Sequence, residues 1–374
     1  MEKIRVLFNT SRHAFQNKGG GEVLLLKSKQ HLEKEGVQGE IFQAGKGRFK
    51  GFDLFHNFSI HRSCFQQIRA AKEAGIPVAL SPVYWPSLRY SLLWNKGLGK
   101  KAKAVAVELI NMLDFLSLSK VRKMFQMSDA VLASSRAVAE IYRKRFNVPS
   151  EKISIVYNGV DKRFKSAKPA PFQSKHGLKG FVLYVGRVEP RKNVLSLVRA
   201  MKGVDEKLVV IGGAKSGSEA YFEQCKREAG KNVFFLGKID HESEMLASAY
   251  AACKVFALPS WYETPGLAAL EAGLAGANVA ITREGSTREY FSNKAAYVNP
   301  NSVEDIREKV KQQLEKPKSS DLAAHIEKNF LWENTATQTR KAYGKILRGK
   351  HAAEMAGNGK HAAKAAALKG GIKR

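Results

Sequence analysis

Two glutamates eight positions apart, Glu263 and Glu271, are the residues of this chain whose type and spacing most directly suggest chemistry. Pro265 and Gly266 lie between them, after the strand-like run 254–258 and before an Ala-rich helical pattern. Because proline is favoured in the first turn of a helix, we expect Glu263 in the loop at the helix N-terminus and Glu271 about two turns further on. Eight residues return a side chain to nearly the same helix face, so both carboxylates could face one ligand.

The start of this predicted helix adds a place for an anion. The first N–H groups of a helix have no partner within it, so those near Gly266 and Leu267 would point at a bound anion. Carboxylates that accept hydrogen bonds from hydroxyl groups, beside N–H groups that hold phosphate, suit a sugar nucleotide. On spacing alone, the simpler interpretation is a loop glutamate near a helix dipole and a solvated helix glutamate.

Two further segments could contact phosphate. Arg187 and Lys192 flank a strand-to-helix turn after the β-type run 181–185, where fixed positive charge could clamp a diphosphate, although loop cations are commonly only solvated. Near the N-terminus, the strand candidate 4–8 is followed by a polar loop that includes Gly19 and Gly20. Glycines let backbone N–H groups approach a ligand closely, but loops also need glycine for turns.

The elements that must position these residues are short buried strands alternating with helical stretches. Between two such series, the composition of residues 161–180 (Lys, Ser, Pro and Ala) is typical of a linker. The pattern predicts an α/β protein with two Rossmann-like, doubly wound parallel-sheet domains facing a central cleft, with ligands at the carboxyl ends of the strands. The predicted strands are 4–8, 53–58, 77–80, 130–133, 153–156, 182–185, 208–211, 233–236, 255–258, 279–281 and 296–298.

The stretches V-Y-N-G-V-D, V-G-R-V-E-P-R-K-N and F-A-L-P-S-W-Y-E-T-P-G follow one another in an order and spacing that resembles glycosyltransferase family 4. These are the group 1 retaining sugar-nucleotide transferases of GT-B fold. The resemblance covers about residues 1–347 and is strongest over 181–300. It implies an acceptor-side domain over 1–165, a donor-binding domain ending in a crossing helix over 166–347, and a basic tail over 348–374 that we expect to be disordered.

The resemblance also implies roles for the candidate residues. The donor diphosphate would be held by cations and N–H groups of the second domain, and approached by two glycines of the first. Glu271 would accept from ribose hydroxyls, and Glu263 would contact hydroxyls of the donor sugar. No Asp-x-Asp metal site is present, so we expect no metal and no cofactor besides the donor substrate. The implied diphosphate contacts are Arg187, Lys192, Gly266, Leu267, Gly19 and Gly20.

One departure from the family concerns the acceptor side. The family often carries a histidine after the strand that corresponds to 77–80, whereas this chain has Val83 or Tyr84 there. His56 ends a neighbouring strand and is the candidate replacement. Its alternative role is a structural hydrogen bond. Tyr84, Trp85 and the segment up to Trp94 are expected to form an acceptor-side or lid region.

Composition limits the class of protein and its partners. The chain has 374 residues, 44% of them hydrophobic, and three scattered cysteines without metal or disulfide spacing. We therefore expect a cytoplasmic protein with no transmembrane segment. The net charge of +29 favours contact with polyanions. An amphipathic segment, 105–125, has basic flanks and fits either the interface of an anionic membrane or the core of its own domain.

These observations predict an enzyme, a retaining hexosyltransferase that moves a sugar from a nucleotide-diphosphate donor to a lipid-linked, polysaccharide or other glycan acceptor. Peripheral association with the inner membrane face would accompany it. The alternative is a degenerate transferase scaffold that binds anionic membrane or nucleic acid, motivated by the charge and the missing histidine. Nucleic acid is the less favoured partner, because the basic tail lacks interleaved aromatic residues. A sugar-nucleotide epimerase of the same fold fits the motifs less well.

Overall fold

The computed structural model describes residues 3–11, 20–43, 49–84, 99, 106, 115–318 and 320–350. Within them, the strands form two six-stranded sheets. Every pair of neighbouring strands is parallel. Helices connect the strands, as parallel pairing requires. The predicted class, two doubly wound α/β domains, is confirmed.

The first sheet has the strand order β2-β1-β3-β4-β5-β6. Its central strands are almost wholly buried, because helices cover both faces of a parallel sheet. The strands are β1 Ile4–Asn9, β2 Val37–Ile41, β3 Leu54–Asn57, β4 Val78–Leu80, β5 Ala130–Ala133 and β6 Ile153–Ile155. The described helices of this part are α1 Gly20–Lys34, α2 Phe65–Glu73, α3 Phe115–Met127 and α4 Arg136–Phe146.

The second sheet has the order β12-β11-β10-β7-β8-β9. From the central strand β7 the chain adds β8 and β9 on one side and then β10, β11 and β12 on the other. The strands are β7 Val182–Val185, β8 Leu208–Ile211, β9 Val233–Gly237, β10 Val255–Leu258, β11 Asn278–Thr282 and β12 Ala296–Val298. The helices are α5 Ala170–His176, α6 Val194–Ala200, α7 Glu219–Glu228, α8 Glu244–Ala252, α9 Leu267–Leu274, α10 Thr287–Phe291, α11 Val303–Glu315 and α12 Ser320–Asn329.

One strand is absent from the sequence prediction. β2 reads V-Q-G-E-I and lies at the edge of the first sheet, where its polar residues give no buried-strand pattern. Its central Gly39 faces Phe8 so closely that an added Cβ would lie 2.3 Å from the ring. The strand therefore needs glycine at a position where strands ordinarily carry a side chain.

The predicted linker 161–180 is wrong as a description of this segment. It contains a 3₁₀ turn at Lys162–Phe164 and the helix α5, which packs against α8. Phe164 and Phe172 are fully buried in the core of the second sheet. These two aromatic side chains and Leu178, in an otherwise polar stretch, fix it to that core.

The last described helix, α13 (332–350), returns to the first sheet. Its Ala336, Tyr343 and Ile346 belong to the same buried cluster as β1. The helix extends through residue 350, so it includes the first residues of the predicted tail, and 351–374 lie outside the described residues.

No helix in the described residues is both long and apolar enough to cross a membrane. Residues 105 and 107–114 of the amphipathic segment 105–125 lie outside the described residues. At its end, Met124 and Phe125 are fully buried in the core of the first sheet. This end of the segment thus packs on its own domain.

Candidate functional site

Glu263 lies in the loop between β10 and α9, at the carboxyl end of the second sheet. Its backbone is fixed on both sides: its N–H donates to the Glu284 carbonyl at 3.2 Å, and its carbonyl accepts from the Ser286 N–H at 2.9 Å. The side chain is only 3% exposed. Lys192 Nζ donates to its Oε1 at 2.5 Å. The structure therefore joins two of the predicted site residues in a buried ion pair.

The turn that carries Lys192 is held against the same loop. The 3₁₀ turn Pro190–Lys192 follows β7, and Asn193 after it has a left-handed backbone with φ of 56°. Its side-chain amide donates to the carbonyls of Pro259 and Pro300 at 3.1 and 2.9 Å. Asparagine tolerates this conformation better than most residues, which explains its place at the start of α6.

Burial and the ion pair together shift the pKa values of Glu263 and Lys192. Burial raises the pKa of Glu263. The charges of Lys192 and Arg191 and the hydrogen bond from Lys192 lower it by a larger amount, so the pKa lies below its ordinary value. Burial lowers the pKa of Lys192, and Glu263 offsets only part of that change. The carboxylate and the ammonium thus depend on each other.

Two charged residues of this cluster were missed in the sequence. Arg191 Nη2 lies 3.2 Å from Glu189 Oε1, and its Nη1 lies 3.9 Å from Glu263 Oε1. Glu189, 4% exposed, also forms an ion pair with Lys215, whose Nζ lies 3.2 Å from Glu189 Oε2. Both missed residues lie in the V-E-P-R-K-N stretch. The spacing of Glu189 two positions before Arg191 could have predicted their ion pair.

Arg187 is placed differently from Lys192. Its side chain is exposed, and no carboxylate among the described residues lies within ion-pair distance of its guanidinium. Its carbonyl accepts a hydrogen bond from the Tyr184 hydroxyl at 2.9 Å. Its charge is therefore available to a ligand at the carboxyl end of β7.

The predicted place of Pro265 in the first helical turn is wrong: α9 begins at Leu267, after the N-cap Gly266, so Glu271 lies about one turn into the helix. Gly266 is in the left-handed region with φ of 76°, and an added Cβ would lie 3.1 Å from Ile281 Cδ1 and 3.3 Å from Leu258 Cδ2. Its carbonyl accepts from the N–H groups of the first helical turn. The N–H groups of Gly266 and Leu267 have no acceptor among the described residues and lie three and four residues after Glu263.

Glu271 is 6% exposed on α9 and has its own partners. Tyr250 donates its hydroxyl to Oε2 at 2.8 Å, and His241 Nε2 lies 2.7 Å from Oε1. The hydrogen bond with Glu271 raises the pKa of His241 against the lowering effect of burial. No hydrogen bond or ion pair among the described residues joins Glu271 to Glu263, so the two carboxylates have separate partners. His241 stands thirty residues before Glu271 and gives no spacing signal.

A cavity lies between the domains, mostly in the first. It is lined by hydroxyl, amide and apolar side chains, and Thr264, next to Glu263, contributes from the second domain. Tyr84 lines it as predicted for an acceptor-side region; its ring packs edge-on against Phe146 at 5.2 Å. Residues 85–94 of that predicted region lie outside the described residues.

His56 borders this cavity but is 1% exposed, and both ring nitrogens are bonded. Nδ1 lies 2.6 Å from the Tyr343 hydroxyl on α13, and Nε2 lies 2.8 Å from Ser81 Oγ. Burial lowers the pKa of His56 to about 3, so the ring is neutral at physiological pH. These contacts favour a structural role, and its catalytic role stays a prediction.

The glycine loop of the first domain lies only partly within the described residues. Gly19 lies outside the described residues, and α1 begins at Gly20. The next residue, Gly21, faces Val83, with 3.9 Å between an added Cβ and Val83 Cγ2. The contacts of Gly19 and Gly20 with a phosphate therefore also stay predictions.

Comparison with known sequences agrees with this architecture. The family model described as glycosyl transferases group 1 matches residues 168–330, and that of Glycosyltransferase Family 4 matches residues 46–164. O-antigen chain mannosyltransferase B of Escherichia coli is 28% identical over 214 residues, 53% of this chain and 56% of that protein. Glycogen synthase of Mycobacterium tuberculosis is 27% identical over 236 residues, 59% of this chain and 55% of that protein. The chain spans about half the length of these curated relatives.

Solved structures share the fold over nearly the whole chain. Sucrose-phosphate synthase from Thermosynechococcus elongatus has a TM-score of 0.75 at 19% identity and covers 92% of this chain and 100% of its own. Anabaena HepE in complex with UDP and glucose has a TM-score of 0.69 at 16% identity, with the same coverage of 92% and 100%. With both parts of the chain matched by family models and both sheets matched by these structures, the chain belongs to the group 1 glycosyltransferases of GT-B fold.

Proposed function

We propose that this protein transfers a hexosyl group from a nucleotide-diphosphate sugar, with retention of anomeric configuration, to a glycan or lipid-linked acceptor. The observation that carries the proposal is the buried Lys192–Glu263 pair beside the open N-terminus of α9. Charged groups held in fixed positions out of water are suited to a reaction that separates charge. A mannosyltransferase among the relatives and the UDP and glucose bound to HepE support the same chemistry.

The donor diphosphate is proposed to lie against the positive groups of this site. Lys192 uses one of its three N–H bonds for Glu263, which leaves two for phosphate oxygens. Arg187 adds an exposed cation, and the N–H groups of Gly266 and Leu267 add uncharged donors. As the glycosidic bond breaks, negative charge grows on the leaving diphosphate, and these groups stabilise it without reorganising. We propose that no metal ion is required for this step.

The carboxylates are proposed to bind hydroxyl groups. Glu271 Oε1 and Oε2 each accept one hydrogen bond from the protein, and a carboxylate has about four acceptor positions, so two are left for ribose hydroxyls. Glu263 likewise retains acceptor capacity for the donor sugar. Since the pKa of Glu263 lies below its ordinary value, it is ionised and serves as an acceptor of hydrogen bonds.

The test compares donor binding and transfer in matched variants. Binding of a panel of nucleotide diphosphates and their sugars is measured by calorimetry, and the anomeric configuration of the product by NMR. Lys192→Ala and Glu263→Ala should each lower turnover at least about a hundredfold. The control is Lys165→Ala, which breaks an exposed pair with Glu327 of 2.6 Å and should leave turnover unchanged. Full activity in both site variants would disprove the assignment.

The charge of +29 favours the second candidate, a scaffold that binds an anionic surface. If the protein binds vesicles of anionic lipid, or DNA, with strong salt dependence and binds no nucleotide sugar, the scaffold function replaces the transferase. If it binds both donor and anionic vesicles, we propose a cytoplasmic enzyme associated peripherally with the inner membrane face. Vesicle flotation at two salt concentrations separates these outcomes.

A further inference from the structure

A short segment of the second domain, residues 284–290, lies between Glu263 and the first domain. On one side it is attached to the backbone of Glu263 by the two hydrogen bonds described above, from Glu263 to Glu284 and from Ser286 to Glu263. Gly285 allows this close approach: with φ of 102°, it faces the Glu263 carbonyl so closely that an added Cβ would lie 2.0 Å from the oxygen. Any shift of this segment therefore moves the loop that carries Glu263.

On its other side the segment caps a helix of the first domain. The N–H groups of Arg136 and Ala137, the first two residues of α4, donate to Glu289 Oε2 and Oε1, both at 2.8 Å. A negative group at a helix N-terminus is stabilised by the free N–H groups and by the helix dipole. Helices ordinarily obtain such a cap from their own neighbouring residues. Here, the second domain supplies a carboxylate to a helix of the first.

Two more side chains extend the contact. Tyr290 is fully buried; its hydroxyl donates to the Ser134 carbonyl at 2.5 Å and accepts from the Asn158 N–H at 3.0 Å. Ser286 Oγ lies 2.7 Å from Oγ of Ser135, the N-cap residue of α4. Three of the seven residues of the segment, Ser286, Glu289 and Tyr290, thus bond to the first domain, and these bonds depend on the relative orientation of the two domains.

The same first-domain elements form the acceptor-side cavity. Val138 and Tyr142 of α4 line it, as do Ser134 and Asn158, which Tyr290 contacts. The segment 284–290 is consequently bonded to the wall of this cavity and to the backbone of the carboxylate proposed to hold the donor sugar.

We propose that Glu289 and Tyr290 form an interdomain latch that fixes the cleft in its reactive arrangement, and that Glu289 acts as a positioning residue for Glu263. The effect on turnover rests on the proposed transferase function, whereas the effect on domain orientation does not. Lys192, Glu271 and α9 all lie in the second domain, so the contacts proposed for the diphosphate and the ribose, which carry most of the donor affinity, do not need the latch. Loss of the latch should therefore lower the rate of transfer and leave donor affinity nearly intact.

The test uses Glu289→Ala and the nearly isosteric Tyr290→Phe. The matched control is Glu304→Ala, because Glu304 is also in the first turn of a helix of the second domain, but it accepts a hydrogen bond from Ser302 of its own domain. Donor affinity is measured by calorimetry, turnover by product formation, and domain orientation by small-angle X-ray scattering. Glu289→Ala should lower kcat about ten- to a hundredfold, as loss of charge-assisted hydrogen bonds implies, and change donor Kd by less than about threefold.

Scattering should report a larger radius of gyration for Glu289→Ala than for the wild type, and Tyr290→Phe should change kcat and scattering in the same direction to a smaller degree. Glu304→Ala should match the wild type in all three measurements. Wild-type kcat and scattering in both latch variants would overturn the proposal, as would a loss of donor affinity equal to the loss of kcat. Should Glu289→Ala fail to fold, Tyr290→Phe decides. Should the wild type turn over no donor, the proposed function fails, and scattering alone decides the latch.

Discussion

Replacing Glu263 by glutamine removes a charge and keeps the shape of the side chain. In the wild type, Glu263 is 3% exposed, Lys192 Nζ lies 2.5 Å from its Oε1, and Arg191 Nη1 lies 3.9 Å away. The Lys192 side chain is itself only 17% exposed. In the Glu263→Gln variant, two cations therefore face a neutral amide, and one of them is poorly hydrated.

The expected loss of stability follows from that uncompensated charge. Breaking a buried ion pair by removing one partner costs about 3–5 kcal/mol. Glutamine keeps a hydrogen-bond acceptor for Lys192, so we expect the lower end, about 3 kcal/mol. In a domain of about 150–250 residues, this lowers the melting temperature by about 6–12 °C.

The pH dependence provides a sharper signature. Burial already lowers the pKa of Lys192 below its usual 10.5, and removing Glu263 takes away the main opposing charge. The folded variant then binds fewer protons than the unfolded chain at pH values between the two pKa values, so its stability rises with pH in that window. The deficit relative to the wild type should be largest near pH 7 and shrink towards pH 10.

Differential scanning calorimetry at several pH values measures both effects. The double variant Lys192→Met/Glu263→Leu removes both charges and should be less destabilised than Glu263→Gln alone, because a well-packed apolar pair can replace a buried ion pair at little cost. The reasoning is refuted if Glu263→Gln loses less than about 1 kcal/mol, or if the double variant loses the sum of the single effects.

Three other changes test separate contacts. The hydrogen bond with Glu271 raises the pKa of His241 above 6.5, so the stabilisation from the charged imidazole is present at pH 6 and lost as the pH rises through the raised value. In urea unfolding, His241→Ala should therefore be more destabilising at pH 6 than at pH 9. The difference should be under about 1 kcal/mol, because the ring is partly exposed. Tyr343→Phe leaves Nδ1 of buried His56 without its partner and should cost about 1–3 kcal/mol in guanidinium unfolding, with turnover of the folded protein unchanged. Gly285→Ala would place a Cβ 2.0 Å from a carbonyl of the site loop and should lower turnover at least about tenfold in a steady-state assay.

Each of these has an outcome that contradicts it. A pH-independent effect of His241→Ala would mean that the imidazole is not charged against Glu271. A loss of turnover in Tyr343→Phe without loss of stability would point to a catalytic His56. For the glycine, the control is Gly276→Ala, where φ is 88° but an added Cβ meets nothing within 4 Å. An equal loss of turnover in the two glycine variants would show that backbone strain, and not the clash with the carbonyl, lowers the turnover.

The sheets were predictable because their strands are short buried runs bounded by polar loops. β2 was not, since it has no apolar run, and its alternation rests on only two large apolar residues, Val37 and Ile41, on either side of a glycine. The linker was mistaken because composition averages over a segment, whereas three separate apolar side chains, Phe164, Phe172 and Leu178, fix it to the core. Patterns identify elements that bury many residues and miss those that bury few.

The candidate site was predictable in its membership and less so in its bonding. Glu263 and Lys192 were assigned to separate ligand groups, and their ion pair depends on how two loops meet at the end of the sheet. His241 reaches Glu271 from the loop after β9, thirty residues away in the chain. The Glu289 cap crosses between domains. Contacts of this kind arise from the packing of whole elements and have no local signature.

The helix 332–350 has a consequence for how the protein is made. It supplies part of the buried cluster around β1, so the first domain is built from two stretches of chain, and the second domain is inserted between them. During synthesis, residues of the first sheet leave the ribosome long before the helix that covers them. The buried core of the second domain is complete by Leu331, just before this helix, so the second domain can fold first. The domain that begins the chain is thus completed last, with its apolar surface open to chaperones in the interval.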